Sequence, residues 1–241
     1  MEIKIKNRIL IITAVWQRHE LTEIVLFYYG KLAARSKGKI SLLAVGSEGD
    51  RSKVMCENNG WKYIERSNDP VSYKWSALTE EAKNMDFDFI IIVGSDDLLS
   101  LSLIKYYDKV YSRDTPYMLG LTDLYFYMIR TKKSYHFHGY PSLKTIGAGR
   151  CISRSILERV NWRPWHTYTI QRGLDSRCSS HLNRMGVKEV GVRMADTRGV
   201  AIDIKHTFSI TDPNKVIDLS SESDNVLKNK FPEEYEKIIK C

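Results

Sequence analysis

The sequence predicts an α/β protein built on a mostly parallel sheet with helices on both faces. Apolar runs of strand length alternate with helix-periodic segments through the first 110 residues. Those runs end in small and polar residues, as strands of a buried parallel sheet do. No internal repeat or low-complexity segment interrupts the pattern. A 241-residue chain that is 43% hydrophobic fits one such domain, with room for a small appendage, and needs no disulfide framework.

Residues 8–15 carry the run Ile9-Leu10-Ile11-Ile12 and read as the first strand. Residues 20–34 place Leu21, Ile24, Val25, Tyr28 and Leu32 on one helical face, and Lys37-Gly38 stops the helix. A second strand over 40–45 halts at Gly46-Ser47-Glu48-Gly49-Asp50. A short helix over 51–58 ends at Asn59-Gly60, and 61–65 is a third strand. Asn68-Asp69-Pro70 marks a turn before a helix over 71–84. Residues 88–93 form a fourth strand, followed by a helix over 101–110.

The second half changes character. Residues 117–129 and 132–137 read as strands paired through a hairpin at 130–133. A glycine-containing loop spans 145–150, and a helix capped by Ser153 runs to 160. An aromatic loop over 161–171 leads to a helix over 173–185. Strands are expected over 187–194 and 202–208, a polar tail from 212, and a terminal helix over 225–240.

The net charge of +8 is concentrated. Between Phe126 and Arg172 stand nine cations (Arg130, Lys132, Lys133, Lys144, Arg150, Arg154, Arg159, Arg163 and Arg172) against the single acid Glu158, which matches the whole net charge. Tyr127, Tyr135, Phe137, Tyr140, Trp162, Trp165 and Tyr168 interleave with them. Such a stretch suits a surface that holds phosphates and stacks rings, or else a solvated face over core aromatics. Cys56, Cys151, Cys178 and Cys241 are scattered without metal-ligand spacing, which argues against structural zinc and suits a reducing compartment. The first residues lack a signal-peptide apolar segment, and no run approaches the roughly 20 residues that span a bilayer. A soluble cytoplasmic protein is expected, in the host cytoplasm if the source is viral.

The most informative residues are Asp96 and Asp97, at the end of the fourth strand after Gly94-Ser95. Adjacent carboxylates at a sheet rim repel unless a cation or proton lies between them. They fit a divalent ion held by oxygen ligands, or alternatively a cap on the following helix. In such sheets ligands bind beyond the carboxyl ends of the strands. Here that gathers the segments 13–18, 46–50, 67–74 and 94–97 around one crevice.

From about residue 8 to 185 this layout resembles the GT-A type glycosyltransferases, and within them the large inverting group related to glycosyltransferase family 2. Phe89 to Leu98 is similar to the strand and DxD segment of that fold, written here Ser95-Asp96-Asp97. The resemblance implies a Rossmann-like, mostly parallel sheet flanked by helices, with a smaller antiparallel acceptor-side region. It divides the chain into a donor half (1–112), an acceptor half (113–211) and a polar, helical tail (212–241). It implies that Asp96 and Asp97 hold Mn²⁺ or Mg²⁺ against the diphosphate of a nucleotide-sugar, with His206 as a further metal ligand. Donor contacts are then expected from Thr13, Ala14, Trp16 and Arg18, from Ser47, Glu48 and Asp50, from Lys74, and from Ser95 and Asp96. The acidic loop departs from the family's usual Asp-Gly-Ser, which leaves the nucleotide open. Asp175, in Gly173-Leu174-Asp175, stands where the family places its catalytic base, which deprotonates the acceptor hydroxyl.

The functional expectation is sugar transfer from a nucleotide-sugar to a hydroxyl. Arg150, Trp162, Arg163, Trp165 and Tyr168 are the expected acceptor contacts. A polyanionic acceptor is expected, nucleic acid first, as with a hydroxymethylated pyrimidine of viral DNA flipped from its stack. Saccharide and lipid-linked glycan acceptors are the alternatives within the same chemistry. A nucleotidyltransferase ranks second, because the first loop has no glycine. A non-enzymatic nucleic-acid-binding module ranks third, because it gives the two aspartates no purpose.

Overall fold

The computed structural model describes residues 2–140, 144–166, 172–205 and 222–241. Its first half alternates as expected: β1 (Ile9–Ala14), α1 (His19–Ala34), β2 (Ile40–Gly46), α2 (Asp50–Asn58), β3 (Lys62–Glu65), α3 (Val71–Ala82) and β4 (Phe89–Ile92). A short β5 (Asp97–Leu99) precedes α4 (Leu101–Val110). The second half supplies β6 (Tyr117–Leu121), β7 (Leu124–Met128), β8 (Lys133–Phe137), β9 (Arg150–Ser153), α5 (Arg154–Arg159), α6 (Leu174–Arg184) and β10 (Lys188–Val192). It closes with α7 (Met194–Thr197), β11 (Ala201–Lys205), β12 (Glu222–Ser223), α8 (Val226–Lys230) and α9 (Pro232–Ile238).

The larger sheet has the order β3-β2-β1-β4-β9-β6-β10. Only β9 runs against the rest, pairing antiparallel with β4 and β6. Both faces are covered, and β1 shows why its apolar run is unbroken. Ile9 and Ile11 enter one core, whereas Leu10 and Ile12 enter the other. Arg8 and Asp88 fix the start of this register. The Arg8 amide donates to Asp88 Oδ2 at 2.8 Å and Nη2 donates to Oδ1 at 2.8 Å, aligning Ile9 with Phe89.

The smaller sheet, β12-β8-β7-β11-β5, is antiparallel except where β11 runs parallel to β7. It carries the rim of the crevice. Tyr29 Oη donates to the Asp97 carbonyl at 3.1 Å, and Tyr28 Oη donates to the Leu99 carbonyl at 2.8 Å, so α1 grips β5 directly.

Three local expectations change. The strand expected over 117–129 breaks at Thr122-Asp123, because the chain crosses there from the large sheet to the small one. The Asp123 carboxylate secures the crossing by accepting from the Met194 amide at 2.8 Å and pairing with His136 at 2.7 Å. The 145–150 loop ends in β9, whose four residues are too few to announce themselves beside two glycines. The terminal helix is two helices, because Pro232 has no amide with which to continue α8. Residues 206–208 of the last expected strand lie outside the described residues. No helix among the described residues is long and apolar enough to cross a membrane.

Candidate active site

The two aspartates do not cap a helix. Asp97 opens β5, and α4 is capped instead by Ser100, whose hydroxyl accepts from the Leu103 amide at 3.4 Å. Asp97 faces Asp203 across the antiparallel β5–β11 register, and the Ile204 amide donates to the Asp96 carbonyl at 2.9 Å. The carboxylates of Asp96, Asp97 and Asp203 consequently converge, with one oxygen of each within 4.8 Å of the others.

Each carboxylate commits one oxygen to the protein. Asp96 Oδ2 accepts from Arg18 Nη1, Asp97 Oδ2 from the Gly94 amide at 2.6 Å, and Asp203 Oδ2 from Lys205 Nζ at 2.6 Å. Arg18 also donates to Ser95 Oγ at 3.2 Å. Among the described residues Asp203 Oδ1 is buried and has no hydrogen-bond partner. Fixed orientation through one oxygen, with the other left open, is how a carboxylate is presented to a hard cation. The residues therefore fit a divalent metal.

Electrostatics agree with that fit. Burial, then Asp203 and Asp96, push the Asp97 carboxyl well above the ordinary range. Burial pushes Asp203 up to about 6, although Lys205 pulls it down. Burial would lower the Lys205 ammonium, but Asp203, Asp96 and Asp97 outweigh it and hold it above its usual value. Three acids against two cations leave the cluster short of positive charge.

The triad opens into a cavity of about 240 Å³ whose walls include Trp75, Phe126, Phe137, Tyr140, Gly147 and Asp175. Asp175 lies in the first turn of α6, behind the left-handed Gly173 at φ 74°. Gly147 lies against its carboxylate so closely that a Cβ there would overlap it. Arg18, Trp75, Gly94 and Asp96 also border a larger cavity of about 700 Å³, completed by Ala14, Trp16, Asn68, Asp69, Lys74, Ser95 and Arg172. A long crevice thus runs past the acidic cluster to Asp175.

No protein-family model matches this sequence, and no curated protein matches it. Solved structures do. A mannosyltransferase of Pyrobaculum calidifontis, solved with GDP-mannose and Mn²⁺, superposes with a TM-score of 0.53 at 14% identity, over 83% of this chain and 57% of that one. The fold is GT-A. The T. maritima inositol-1-phosphate CTP transferase shares it, with a TM-score of 0.52 at 13% identity over 86% of this chain and 93% of that one. So does the Mycobacterium tuberculosis glucosyl-3-phosphoglycerate synthase solved with Mn²⁺, UDP-glucose and phosphoglyceric acid, at 0.51 and 11% identity over 84% and 73%. The chain spans a little over half the length of the mannosyltransferase. Such identities speak for the GT-A fold and not for a shared substrate.

Within the GT-A frame, the expected site residues are distributed unevenly. Ala14, Trp16, Arg18, Lys74, Ser95, Asp96, Asp97 and Asp175 border the crevice. Trp16 is 42% exposed at its mouth. Lys74 is fully buried, and its ammonium donates to the Val15 carbonyl at 2.8 Å, so it props the first loop. Burial lowers it to about 8, although Glu48 and Glu65 oppose that. Thr13 is buried at the end of β1. Glu48 accepts from the Gln17 amide at 2.9 Å and from Ser52 at 3.2 Å, which turns it inward to hold the loop in the neighbouring cavity. Ser47 is half-buried in the bend after β2, and Asp50 is exposed at the start of α2. Neither is among the lining residues of the crevice.

The expected acceptor residues are not gathered into one surface. Trp162 is buried against Phe87, and Trp165 is buried beside Trp75, so both serve the core under α3 and α5. Among the described residues Arg150 is the largest fully buried side chain. It donates to the Asp175 carbonyl at 3.1 Å, to Thr145 and to Ser179, and lies 3.8 Å from Glu189. Arg163 is exposed and pairs with Glu80 at 3.7 Å. Tyr168 and His206 lie outside the described residues. The basic stretch is dispersed because β7, β8, β9 and α5 face different ways. Arg154 covers Phe87 and Trp162, for example, whereas Lys133 pairs with Glu222.

Asp203 goes unmarked among the expected site residues. It pairs with Lys205, which is only 7% exposed. The signal was present: two charged residues at i and i+2 on one face of an otherwise apolar strand.

Proposed function

We propose that this chain transfers a glycosyl group from a nucleotide-sugar to an acceptor hydroxyl. The observation that carries the reading is a single crevice bordered both by the Asp96–Asp97–Asp203 cluster and by Asp175. The GT-A fold supports it, as do the Mn²⁺ and nucleotide-sugars bound in two structures that share the fold. A donor would lie along the larger cavity, its base toward Trp16 and its diphosphate toward Asp96. In this reading residues 1–112 serve the donor, joined by Asp203 at the metal, and the remainder of 113–211 serves the acceptor.

A divalent cation held by Asp96, Asp97 and Asp203 would neutralise the charge that develops on the departing nucleoside diphosphate. Arg18 holds Asp96 in place, and the Gly94 amide does the same for Asp97. Asp175 Oδ1 or Oδ2 would take the proton of the acceptor hydroxyl as that oxygen attacks the anomeric carbon, with inversion. The apolar wall of Phe126 and Phe137 limits water beside the reacting carbon.

A nucleotidyltransferase is the second reading, and it has its own support. The CTP transferase covers 86% of this chain and is itself matched over 93% of its length. Asp175 favours sugar transfer, because it offers a base on the acceptor side. Nucleic acid as the acceptor loses its basis once Trp162, Trp165 and Arg150 are interior. A small or glycan hydroxyl fits the modest cavity better.

The test is a thermal-shift screen of nucleotide-sugars and nucleoside triphosphates with Mn²⁺ and with chelator, followed by product analysis. A melting temperature raised by a nucleotide-sugar only with metal, and release of nucleoside diphosphate, are expected. Pyrophosphate release from a triphosphate would select the second reading instead.

A further inference from the structure

Lys205 is a lysine built into the interior of the acidic cluster. It is 7% exposed, its ammonium lies 2.6 Å from Asp203 Oδ2, and it sits 4.7 Å from the ring centroid of Phe126. It borders the same cavity as Asp96, Asp97 and Asp175. A surface ion pair of this kind would contribute little and need no burial. Here burial puts an ammonium where a cation is wanted, and it already occupies one oxygen of Asp203.

The consequence follows from counting charge. Arg18 and Lys205 balance two of the three carboxylates. A divalent ion entering among Asp96, Asp97 and Asp203 shares Asp203 with the ammonium, and the two cations repel at short range. A diphosphate arriving beside them brings more negative charge than the ion alone offsets. The ammonium then has a second anion within the same cavity.

We propose that Lys205 is a tethered counter-cation: it opposes a divalent ion that binds alone and favours the ion together with a diphosphate, onto which its ammonium turns. Metal and donor thereby bind as a unit. This rests on the reading of the crevice as a donor site and adds a residue that neither the sequence motif nor the fold assigns.

The experiment uses the full chain. Mn²⁺ binding is measured by electron paramagnetic resonance without nucleotide, and binding of inorganic pyrophosphate by calorimetry at saturating Mn²⁺. Lys205→Met is expected to tighten Mn²⁺ by about tenfold and weaken pyrophosphate by about tenfold, and Lys205→Arg to restore both. On the unaltered protein, an amine-acylating reagent read by mass spectrometry is expected to spare Lys205 without metal. Mn²⁺ should make it reactive, and Mn²⁺ with pyrophosphate should protect it again. This measurement stands even if the methionine variant does not fold. Unchanged or weaker Mn²⁺ binding by Lys205→Met, unaltered pyrophosphate affinity, or labelling indifferent to Mn²⁺ overturns the proposal while leaving the donor site standing. Failure of the unaltered protein to bind either probe overturns both.

Discussion

Gly147 and Asp175 touch across the crevice: the glycine leaves room for nothing larger than hydrogen beside that carboxylate. The contact couples the loop before β9 to the first turn of α6 and fixes where a base would stand. Gly147→Ala should therefore push the carboxylate aside while the sheet stays intact. Turnover should fall by about a hundredfold or more, since such losses follow a misplacement of about 1 Å. The melting temperature with Mn²⁺ and donor should still rise above that without them. Near-normal turnover in this variant would remove Asp175 from the chemistry.

Asp203 and Asp175 should separate cleanly by function. Asp203→Asn removes a charge from the cluster and is expected to abolish the Mn²⁺-dependent rise in melting temperature. Asp175→Asn should keep that rise and lose sugar transfer. If both variants keep the metal response, the third carboxylate is not a ligand.

Lys74 gives a pH signature. Its folded value of about 8 lies below the 10.5 of an unperturbed lysine, chiefly because it is buried. Between those values the unfolded chain binds more protons, so this group makes stability rise with pH from about 8 toward 10. Lys74→Met should lack that rise, and urea midpoints at pH 7, 8, 9 and 10 for the two proteins read the difference directly. Parallel profiles would show that the ammonium is not desolvated.

Arg150 and Glu189 form a buried pair, 1% and 5% exposed, that fastens α6 to β9 and β10. Arg150→Met leaves the carboxylate without its cationic partner, held only by the Thr145 and Ser179 hydroxyls, and should cost about 3–5 kcal/mol. Adding Glu189→Gln should recover part of that loss, which a double-mutant cycle in urea would reveal as strong non-additivity. Additive losses would mean that the two side chains act independently.

The strands and helices of the first half were legible because each buried parallel strand writes an unbroken apolar run, as Ile9 to Ile12 and Phe89 to Ile92 do. Asp96 and Asp97 were legible for the converse reason, that two charges directly after such a run are costly without a purpose. The short strands β5 and β9 were not, since three or four residues carry too little periodicity. Nor was the fate of the cations and tryptophans around Trp162, since composition records residue types and not the direction in which each element turns them.

By itself the sequence determined the alternating α/β frame and the acidic pair at the rim of its fourth strand, because both depend on neighbours along the chain. Only the tertiary structure decided that Asp203 faces Asp97, that Lys205 lies inside the cluster, and that Asp175 meets the same crevice. Those relationships join residues about 80 to 110 positions apart, through the β5–β11 pairing and the packing of α6, and pairing over such distances is set by the closure of the whole sheet and not by local propensity.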